Sequence, residues 1–525
     1  MIAAGIPRLA PTAGTGALHA DVPGLESRSP IDGSLLGVFS ETPESEIQRW
    51  ESDLRSRVDR GCSRSTRSRA AHGVALDRVL ARRADEVADI LVRESGKPIV
   101  QAFASEILPT RRALGWLSRQ GPRILAPRRI GWGRRREWQP HGVVGMLSPW
   151  NYPLFLTLPS LAAALLAGNS VLWKPSELAL ATSHLILELL QEAGLGERVR
   201  MVVGGPGAGR AVADAGCDFY LLTGGLEMGR EVLARVAAHP SPAIAELSGS
   251  DPMLVLEDAD LERAARSAVW ARMLASGQTC MAPRRILVAE AVAERFESLL
   301  EHRVRELRLG DPHLPDTEVG PLRTAVAADR AAGIVEQSAA MGARVRVGGH
   351  RLPGTGLYFQ PTLLTDCSDD MPVFTEDVFA PILTIGRFAG VEDACRRVRR
   401  FEGGLTASVW TRSRRRGLEL VRSLPGGIGM VNELIFPVAD PRAPFGGVGR
   451  SGYGVVGGEE GLRSLARPRV ISVGGGWPNW DPHLRAPDAT MLRILRALAG
   501  RWGAAGTDHC DVTGRPGQAV RGVER

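Results

Sequence analysis

Residues 143–175 read VVGMLSPWNYPLFLTLPSLAAALLAGNSVLWKP, and they give the clearest indication of the fold. The run at 143–147 is short and apolar, which predicts a strand buried on both faces. Residues 154–167 have the composition of a helix, and 170–173 is a second short apolar run. Two such strands joined by a helix predict a parallel pair, because parallel neighbours need a crossover connection.

The same alternation continues along the chain. Further strands are predicted at 199–203, 219–222 and 243–247, and helices near 181–193, 207–214 and 226–238. This pattern predicts a doubly wound, Rossmann-type α/β domain that binds a dinucleotide at the carboxyl ends of its strands. A second α/β series begins near residue 250, with strands predicted at 253–256, 286–288, 382–385 and 408–410.

The overall composition is typical of a large globular protein. The 525 residues include 65 Lys plus Arg and 58 Asp plus Glu, which gives a formal net charge of +7. Both signs are mixed along the chain, whereas a nucleic-acid-binding protein needs basic residues clustered on one face. We therefore expect no nucleic-acid partner. A chain of this length exceeds one compact core, so two or three packed units are expected.

Cysteine usage indicates a reducing compartment. The six cysteines are scattered, and none forms a CxxC pair or a His–Cys cluster with zinc-ligand spacing. Isolated thiols are typical of cytosolic proteins, so we predict a cytoplasmic location and no metal site. The N-terminus also lacks the charged start and apolar block of a signal peptide.

One uncharged stretch raises the question of a membrane segment. Residues 154–173 carry no charge over 20 positions. Pro159 and the Gly168-Asn169 pair interrupt this run, and such breaks are unfavourable in a spanning helix. We therefore predict a buried helix followed by a strand, with no membrane span.

Three candidate catalytic residues lie at the ends of predicted strands. Asn151 follows the strand at 143–147, Glu246 lies in the strand at 243–247, and Cys280 comes shortly before another strand. A cysteine can be a nucleophile or a buried structural thiol. An asparagine can donate its amide or form a turn, and a glutamate can be a base or an ion-pair partner.

With Asn151, Glu246 and Cys280 in this order, the chain resembles the NAD(P)-dependent aldehyde dehydrogenase superfamily over about residues 28–475. The motifs that carry the likeness are Ser148-Pro149-Trp150-Asn151-Tyr152-Pro153-Leu154, Trp173-Lys174-Pro175-Ser176-Glu177, Ala245-Glu246-Leu247-Ser248-Gly249, Gly277-Gln278-Thr279-Cys280-Met281-Ala282-Pro283 and Pro444-Phe445-Gly446-Gly447. The resemblance implies a Rossmann-type NAD-binding domain, an α/β catalytic domain and a small bridging and oligomerisation region. It also implies an enzyme that oxidises an aldehyde to a carboxylic acid.

The resemblance assigns a role to each candidate catalytic residue. Cys280 would attack the aldehyde and form a thiohemiacetal and then a thioester. The Asn151 amide and the Cys280 backbone N–H would hold the oxyanion, and one such donor is typically worth about 3–4 kcal/mol. Glu246 would activate the water that hydrolyses the thioester.

The cofactor-binding residues that the resemblance implies are Trp150, Lys174, Glu177, Gly224, Gly225, Gly229, Asp377 and Phe379. Glu177 would accept hydrogen bonds from the adenosine ribose and repel a 2′-phosphate, so NAD is favoured, with NADP possible. The glycines would let the pyrophosphate approach a helix N-terminus. Asp377, where the family usually has Glu, would hold the nicotinamide ribose, and Phe379 would pack near the nicotinamide.

Departures from the family pattern leave alternatives open. Ser248 stands where the family usually has Gly, and bulk there predicts slower turnover or an altered cofactor pose. With the shorter Asp377, this departure supports the alternative of a catalytically impaired binding protein. Another alternative is a succinate-semialdehyde-type dehydrogenase, whose pocket would need a cation for the distal carboxylate.

The predicted domains follow from the same resemblance. They are a flexible N-terminus at 1–21, an NAD(P)-binding domain at 22–125 and 142–247, a catalytic domain at 248–440, bridging and oligomerisation segments at 126–141 and 441–475, and a C-terminal tail with a short helix at 476–525. The partners expected are a small-molecule aldehyde and further copies of the chain, with a homodimer as the default.

One amphipathic helix is predicted around residues 76–91. It should end at Gly96-Lys97-Pro98, because Gly and Pro are stop signals. Lys97 is then interpreted as a cation at the helix C-terminus, where it would interact favourably with the helix dipole.

Overall fold

The structure is a computed structural model, and it describes residues 24–61, 65–131, 133–473 and 489–503. The predicted N-terminal segment at 1–21 and the end of the tail lie outside the described residues. The chain divides into two compact units. One comprises Met1–Arg128 and Glu137–Arg469, and the other comprises Arg129–Arg136 and Val470–Arg525.

The described residues form α-helices and β-strands in an alternating order. The helices are α1 (Glu44–Gly61), α2 (Thr66–Arg82), α3 (Ala84–Ser95), α4 (Ile99–Ala102), α5 (Leu108–Ile124), α6 (Leu158–Ala167), α7 (Leu180–Glu192), α8 (Pro206–Asp214), α9 (Leu226–Val236), α10 (Leu261–Met273), α11 (Ala293–Arg305), α12 (Ala325–Ala340), α13 (Pro372–Thr375), α14 (Val391–Arg399), α15 (Arg414–Ser423), α16 (Gly458–Ser464) and α17 (Ala489–Gly503). The strands are β1 (Gly24–Arg28), β2 (Leu35–Ser40), β3 (Arg128–Gly131), β4 (Arg134–Pro140), β5 (Val143–Ser148), β6 (Ser170–Pro175), β7 (Val199–Met201), β8 (Phe219–Gly224), β9 (Ala243–Leu247), β10 (Pro252–Val255), β11 (Arg285–Ala289), β12 (Arg344–Val347), β13 (Thr362–Thr365), β14 (Ile382–Phe388), β15 (Gly403–Gly404), β16 (Thr406–Trp410), β17 (Ile428–Val431), β18 (Val448–Gly449), β19 (Gly452–Tyr453) and β20 (Ala466–Ser472).

The predicted doubly wound sheet is present, in the order β19–β9–β8–β5–β6–β7. Strands β5 to β9 are parallel, and β19 runs antiparallel beside β9. Every residue of β5 and β6 is buried, as expected for a parallel sheet covered on both faces. The carboxyl ends of its parallel strands form one edge, and the candidate residues follow several of these ends.

The second α/β series forms a seven-stranded sheet in the order β12–β13–β14–β11–β10–β16–β17. The four strands predicted from sequence are β10, β11, β14 and β16, which lie side by side in its centre. Met253 and Val255 belong to one apolar cluster and Leu254 to another. Side chains of a strand alternate between faces, so both faces of this sheet are covered.

Two helix predictions are corrected by the structure. The single helix expected around 76–91 is two helices, α2 and α3, separated at Arg83. The Arg83 guanidinium donates to Glu86, Glu188 and Glu192, which fixes the break in place. The helix expected from 154 begins at Leu158, with Pro159 in its first turn, where a missing backbone N–H costs nothing.

Gly96 ends α3 with a φ of 72°, as the stop signal predicts.

Within the described residues, no helix combines the length and the apolarity that crossing a bilayer requires. Strands β20, β4 and β3 form a separate three-stranded sheet, and α17 is longer than the short helix expected in the tail. The proposed role of the bridging segments in subunit association stays a prediction.

Candidate active site

The segment before Cys280 is held in an unusual backbone conformation. Ala275, Ser276 and Gly277 have φ values of 51°, 56° and 78°. The left-handed region costs an L-residue roughly 1–2 kcal/mol, so neighbouring contacts must hold this run in place. At Gly277 a Cβ would lie 2.0 Å from the Ala380 carbonyl oxygen, so glycine is required by close approach rather than for flexibility.

Hydrogen bonds from distant segments fix this left-handed run. They join the Ala275 N–H to Gln101 Oε1 (2.8 Å), Ser276 Oγ to the Gly320 carbonyl (2.9 Å) and the Arg323 N–H to Gln278 Oε1 (2.9 Å). Because these partners come from two distant parts of the chain, at Gln101 and at 320–323, the position of the following cysteine is determined by tertiary contacts.

Cys280 follows this run and lies where two cavities meet. The residue is half-buried and lines both a large cavity, whose wall includes several charged side chains, and a second cavity without charged side chains. Burial raises the pKa of the Cys280 thiol to about 12, and the nearby charges of Asp251 and Glu246 act in the same direction. The thiol is therefore protonated at neutral pH, and an attack on a carbonyl requires that its proton be removed.

Glu246 lies near the carboxyl end of β9, where its backbone pairs with Gly452 of β19. Its side chain is buried, and Oε1 has no hydrogen-bond partner. Burial raises the pKa of the Glu246 carboxyl to about 8. A carboxylate with this pKa is a much stronger base than an ordinary glutamate, and Glu246 lines the same cavity as Cys280.

Asn151 lies in the turn that follows β5, and it is buried. Its Nδ2 donates to the Gln278 carbonyl at 3.0 Å, which links the turn to the segment that carries Cys280. An amide nitrogen has two hydrogens, so one donor remains for another acceptor. The adjacent Tyr152 hydroxyl bonds Thr279 Oγ1 at 2.7 Å and joins the same two segments a second time.

A buried ion pair supports the turn that contains Asn151. Lys97 pairs with Glu106, which lies in the π-helical turn Phe103–Ile107 between α4 and α5. Lys97 Nζ also donates to the Asn151 carbonyl at 3.0 Å. Glu106 Oε2 accepts from the backbone N–H groups of Leu154 and Phe155 at 3.1 and 2.8 Å. Lys97 is thus a buried partner of the active-site turn, which corrects its interpretation as a charge at a helix end.

We expect Lys97→Met to destabilise the protein by about 3–5 kcal/mol, because it leaves the Glu106 carboxylate buried without its cation. The free energy of unfolding is measured by urea denaturation followed through tryptophan fluorescence. Arg415→Met is the control, since Arg415 forms an exposed pair with Glu419 and its loss should leave the unfolding midpoint unchanged. Equal midpoints for the two variants would contradict a structural role for the buried pair.

The large cavity at the carboxyl edge of the first sheet has a volume of about 410 Å³. The predicted site residues on its wall are Asn151, Glu246, Cys280, Trp150, Lys174, Glu177, Gly224, Gly225, Asp377 and Phe379. The structure thus brings together residues that are spread over more than 200 positions of sequence. The other predicted residue, Gly229, does not line the cavity. A Cβ there would lie 2.4 Å from the Leu247 side chain, so Gly229 lets α9 pack against β9.

One end of the cavity has the groups that fit an adenosine ribose and a pyrophosphate. Lys174 is buried, and its Nζ pairs with Glu177 Oε2 at 3.0 Å. Gly225 precedes α9, whose N-terminus has no side-chain cap, and nothing lies within 4 Å of a Cβ built on that glycine. Free N–H groups beside open space form a ready site for a phosphate.

The other end of the cavity is organised by Arg284. This buried arginine forms an ion pair with Asp377, and its guanidinium carbon lies 4.8 Å from the centre of the Phe379 ring. The Phe379 ring in turn lies 6.2 Å from the ring of Trp150. Arg284 therefore orients both Asp377 and Phe379. Sequence reasoning missed it because nothing in the chain marks this arginine as the partner of a residue 93 positions away.

Other cavity residues were also missed from sequence. Pro206, Gly209 and Arg210 come from the start of α8, and Met228 comes from α9. The Gly204-Gly205-Pro206-Gly207 stretch at the start of α8 was the sequence feature that could have indicated them.

Ser248, which stands where the family usually has Gly, is half-buried on the cavity wall, and its carbonyl accepts from the Ser451 hydroxyl at 3.0 Å. Its effect on turnover stays a prediction.

Comparison with known proteins identifies what this arrangement is similar to. Residues 19–471 match the aldehyde dehydrogenase family. A 4,4'-diapolycopene aldehyde oxidase from Methylomonas sp. is 33% identical over 468 residues, which cover 87% of each chain. A probable NADP(+) succinate-semialdehyde dehydrogenase from Synechocystis is 34% identical over 401 residues, which cover 75% of this chain and 87% of that protein.

Solved structures agree with the sequence comparison. The chain is similar to a Mycobacterium tuberculosis aldehyde dehydrogenase complexed with NAD+, with a TM-score of 0.82 and 28% sequence identity. The match covers 87% of this chain and 95% of that one. The predicted fold class is thereby confirmed.

Proposed function

This chain belongs to the aldehyde dehydrogenase family, and from that membership we propose that it oxidises its aldehyde through a thioester on Cys280. As a member, it is an oxidoreductase that acts on aldehydes with NAD(P). The observation that carries the finer proposal is that Cys280, Glu246 and Asn151 line one cavity. The three side chains supply a nucleophile, a base and a donor to a developing oxyanion.

In the first half of the reaction, the Cys280 sulfur bonds to the carbonyl carbon, and the carbonyl oxygen becomes an oxyanion. The thiol proton has to leave, because burial keeps the pKa of Cys280 near 12. In our proposal this proton passes to solvent in the cavity that Cys280 lines, so Glu246 remains available as the base for the second half. The second amide hydrogen of Asn151 and the Cys280 N–H stabilise the oxyanion. NAD(P)+, held by Lys174, Glu177 and the N-terminus of α9, would supply the hydride acceptor that converts the adduct on Cys280 into a thioester.

In the second half, water hydrolyses the thioester. Glu246 removes a proton from the water as its oxygen bonds to the acyl carbon, and the Cys280 sulfur leaves. The products are the carboxylic acid and the free cysteine. The unpartnered Glu246 Oε1 supports this role, because a buried oxygen without a hydrogen bond is ready to accept one from water.

We also propose that NAD is preferred over NADP. The Glu177 carboxylate beside Lys174 accepts hydrogen bonds from ribose hydroxyls and repels a 2′-phosphate. The purified protein with an aldehyde should therefore form the reduced nucleotide, read by its absorbance, at a higher kcat/KM with NAD than with NADP. One carboxylic acid should appear for each nucleotide reduced. If neither nucleotide is reduced with any of a varied set of aldehydes, the proposed function is wrong.

The names of the relatives leave the aldehyde open. One relative is named for a carotenoid aldehyde and another for succinate semialdehyde, which is a small anion. These two substrates need opposite surroundings beyond the thiol. The side chains that line the cavity on the far side of Cys280 therefore indicate which class of aldehyde fits there.

A further inference from the structure

A second cavity, hereafter the tunnel, opens from Cys280 on the side away from the predicted cofactor residues. It has a volume of about 260 Å³ and shares Cys280, Leu156 and Phe445 with the cofactor cavity. Its walls come from α4 and the π-helical turn, from the turn after Asn151, from α10 and from residues 435–445. An aldehyde that reaches the thiol by this route has its remaining atoms inside the tunnel.

The tunnel wall is apolar. None of the residues on its wall, all of which the structure describes, is Asp, Glu, Lys, Arg or His. Its polar side chains are Gln101, Ser105 and Tyr152, and each is already engaged. Gln101 Nε2 donates to the Glu318 carbonyl at 2.7 Å, and its Oε1 accepts from a backbone N–H. Ser105 Oγ donates to the Gln101 carbonyl, and the Tyr152 hydroxyl bonds Thr279.

A charged substrate would be poorly accommodated in this tunnel. A carboxylate loses its hydration on entry, and the wall offers no cation in return, only neutral donors such as the second amide hydrogen of Gln101 and the Trp270 N–H. Arginines do occur nearby, since Arg266, Arg303 and Arg308 line a separate cavity that shares Val100, Gln101 and Trp270 with the tunnel. They lie outside the tunnel wall, so the carboxylate of a short semialdehyde bound at Cys280 would remain in apolar surroundings.

The tunnel ends in an exposed aromatic pair. The rings of Trp270 and Phe436 stack at 5.5 Å with an angle of 20° between them. Their exposed fractions are 44% and 65%, and the neighbouring Val100 is 52% exposed. Large apolar side chains grouped at the surface mark a binding site more often than an accident of folding. Here they continue the apolar wall outward, so a chain longer than the tunnel keeps an apolar contact.

We propose that the substrate is an uncharged, apolar aldehyde with a ring or a long alkyl chain, and that short charged semialdehydes are discriminated against. This inference rests on the proposed oxidation at Cys280 and adds the substrate class to it. The combined features that carry it are the uncharged wall, the internally bonded polar groups and the aromatic pair at the rim. It disfavours the semialdehyde alternative left open by the sequence.

The first test compares octanal with succinate semialdehyde under the same conditions with NAD and with NADP. We expect kcat/KM for octanal to be at least about 100-fold higher than for succinate semialdehyde. Burying a carboxylate without a partner raises the free energy of the bound state by more than the loss of one methylene contact does. Equal values, or a preference for succinate semialdehyde, would overturn the inference while leaving the proposed function intact. If neither aldehyde nor any other is oxidised, the proposed function itself fails.

The second test removes the rim contact. Phe436→Ser should lower the ratio of kcat/KM for decanal to that for propanal by about 10-fold, since only the longer chain reaches the rim. Val326→Ser is the matched control, because Val326 is 76% exposed on α12 and lies on the wall of neither cavity. Its ratio should equal that of the unchanged protein. An unchanged ratio in Phe436→Ser would contradict the role of the rim.

Discussion

Replacing Cys280 with serine should lower aldehyde-dependent reduction of NAD(P) by about 10⁴-fold or more. Loss of a covalent nucleophile removes the whole pathway that depends on it, and a serine hydroxyl is a far weaker nucleophile than a thiolate. The rate is followed as nucleotide reduction, and intact-protein mass spectrometry after rapid quenching looks for the acyl adduct. We expect the adduct in the unchanged protein and none on Cys280→Ser.

Cys395→Ala is the matched control for this experiment. Cys395 is a buried free thiol in α14, and it lies on the wall of neither cavity. Its removal should leave the rate within about twofold, since no reacting atom is touched. The melting temperature of each variant shows whether a lost rate reflects unfolding. Full activity in Cys280→Ser would remove the basis of the proposed mechanism.

Replacing Glu246 with glutamine should separate the two halves of the reaction. Without the base, thioester hydrolysis slows, and we expect steady-state turnover to fall by about 10²–10⁴-fold. The thioester should then accumulate, so mass spectrometry should find the acyl group on Cys280. Glu336→Gln, an exposed change on α12, is the control and should turn over normally. Normal turnover in Glu246→Gln would exclude Glu246 as the base.

The pH dependence of turnover follows from the same carboxyl. A group must be ionised to act as a base, and burial raises the pKa of Glu246 to about 8. Below this value the ionised fraction falls tenfold for each pH unit, so kcat should rise with pH and level off above about 8. An ordinary glutamate, with a pKa near 4.3, would give no such rise in this range. In Glu246→Gln the rise should be absent.

The sequence was sufficient to predict the strands at the centre of both sheets, because buried parallel strands have a distinctive apolar composition. A strand covered on both faces is a short apolar run, and 143–147 and 170–173 have this form. The strands β12 and β17 were missed because only one of the four residues in each is buried, so their composition is less distinctive. The break at Arg83 was missed, and the Glu188 and Glu192 side chains that pair with Arg83 there lie about 100 residues away in the sequence.

The sequence established which residue types are available for chemistry and placed Asn151 and Glu246 at the ends of predicted strands, whereas the grouping of Cys280 with them rested on the family resemblance. Only the tertiary structure decided how these groups behave. The pKa of Glu246 depends on the burial of its carboxyl. The role of Lys97 depends on its partner Glu106 in the π-helical turn. The fit of a substrate depends on cavity walls that come from several segments of the chain. Hydrophobic periodicity can be recognised from residues that are adjacent in the sequence. Desolvation, ion pairing and cavity shape arise only when distant segments pack together in the folded chain.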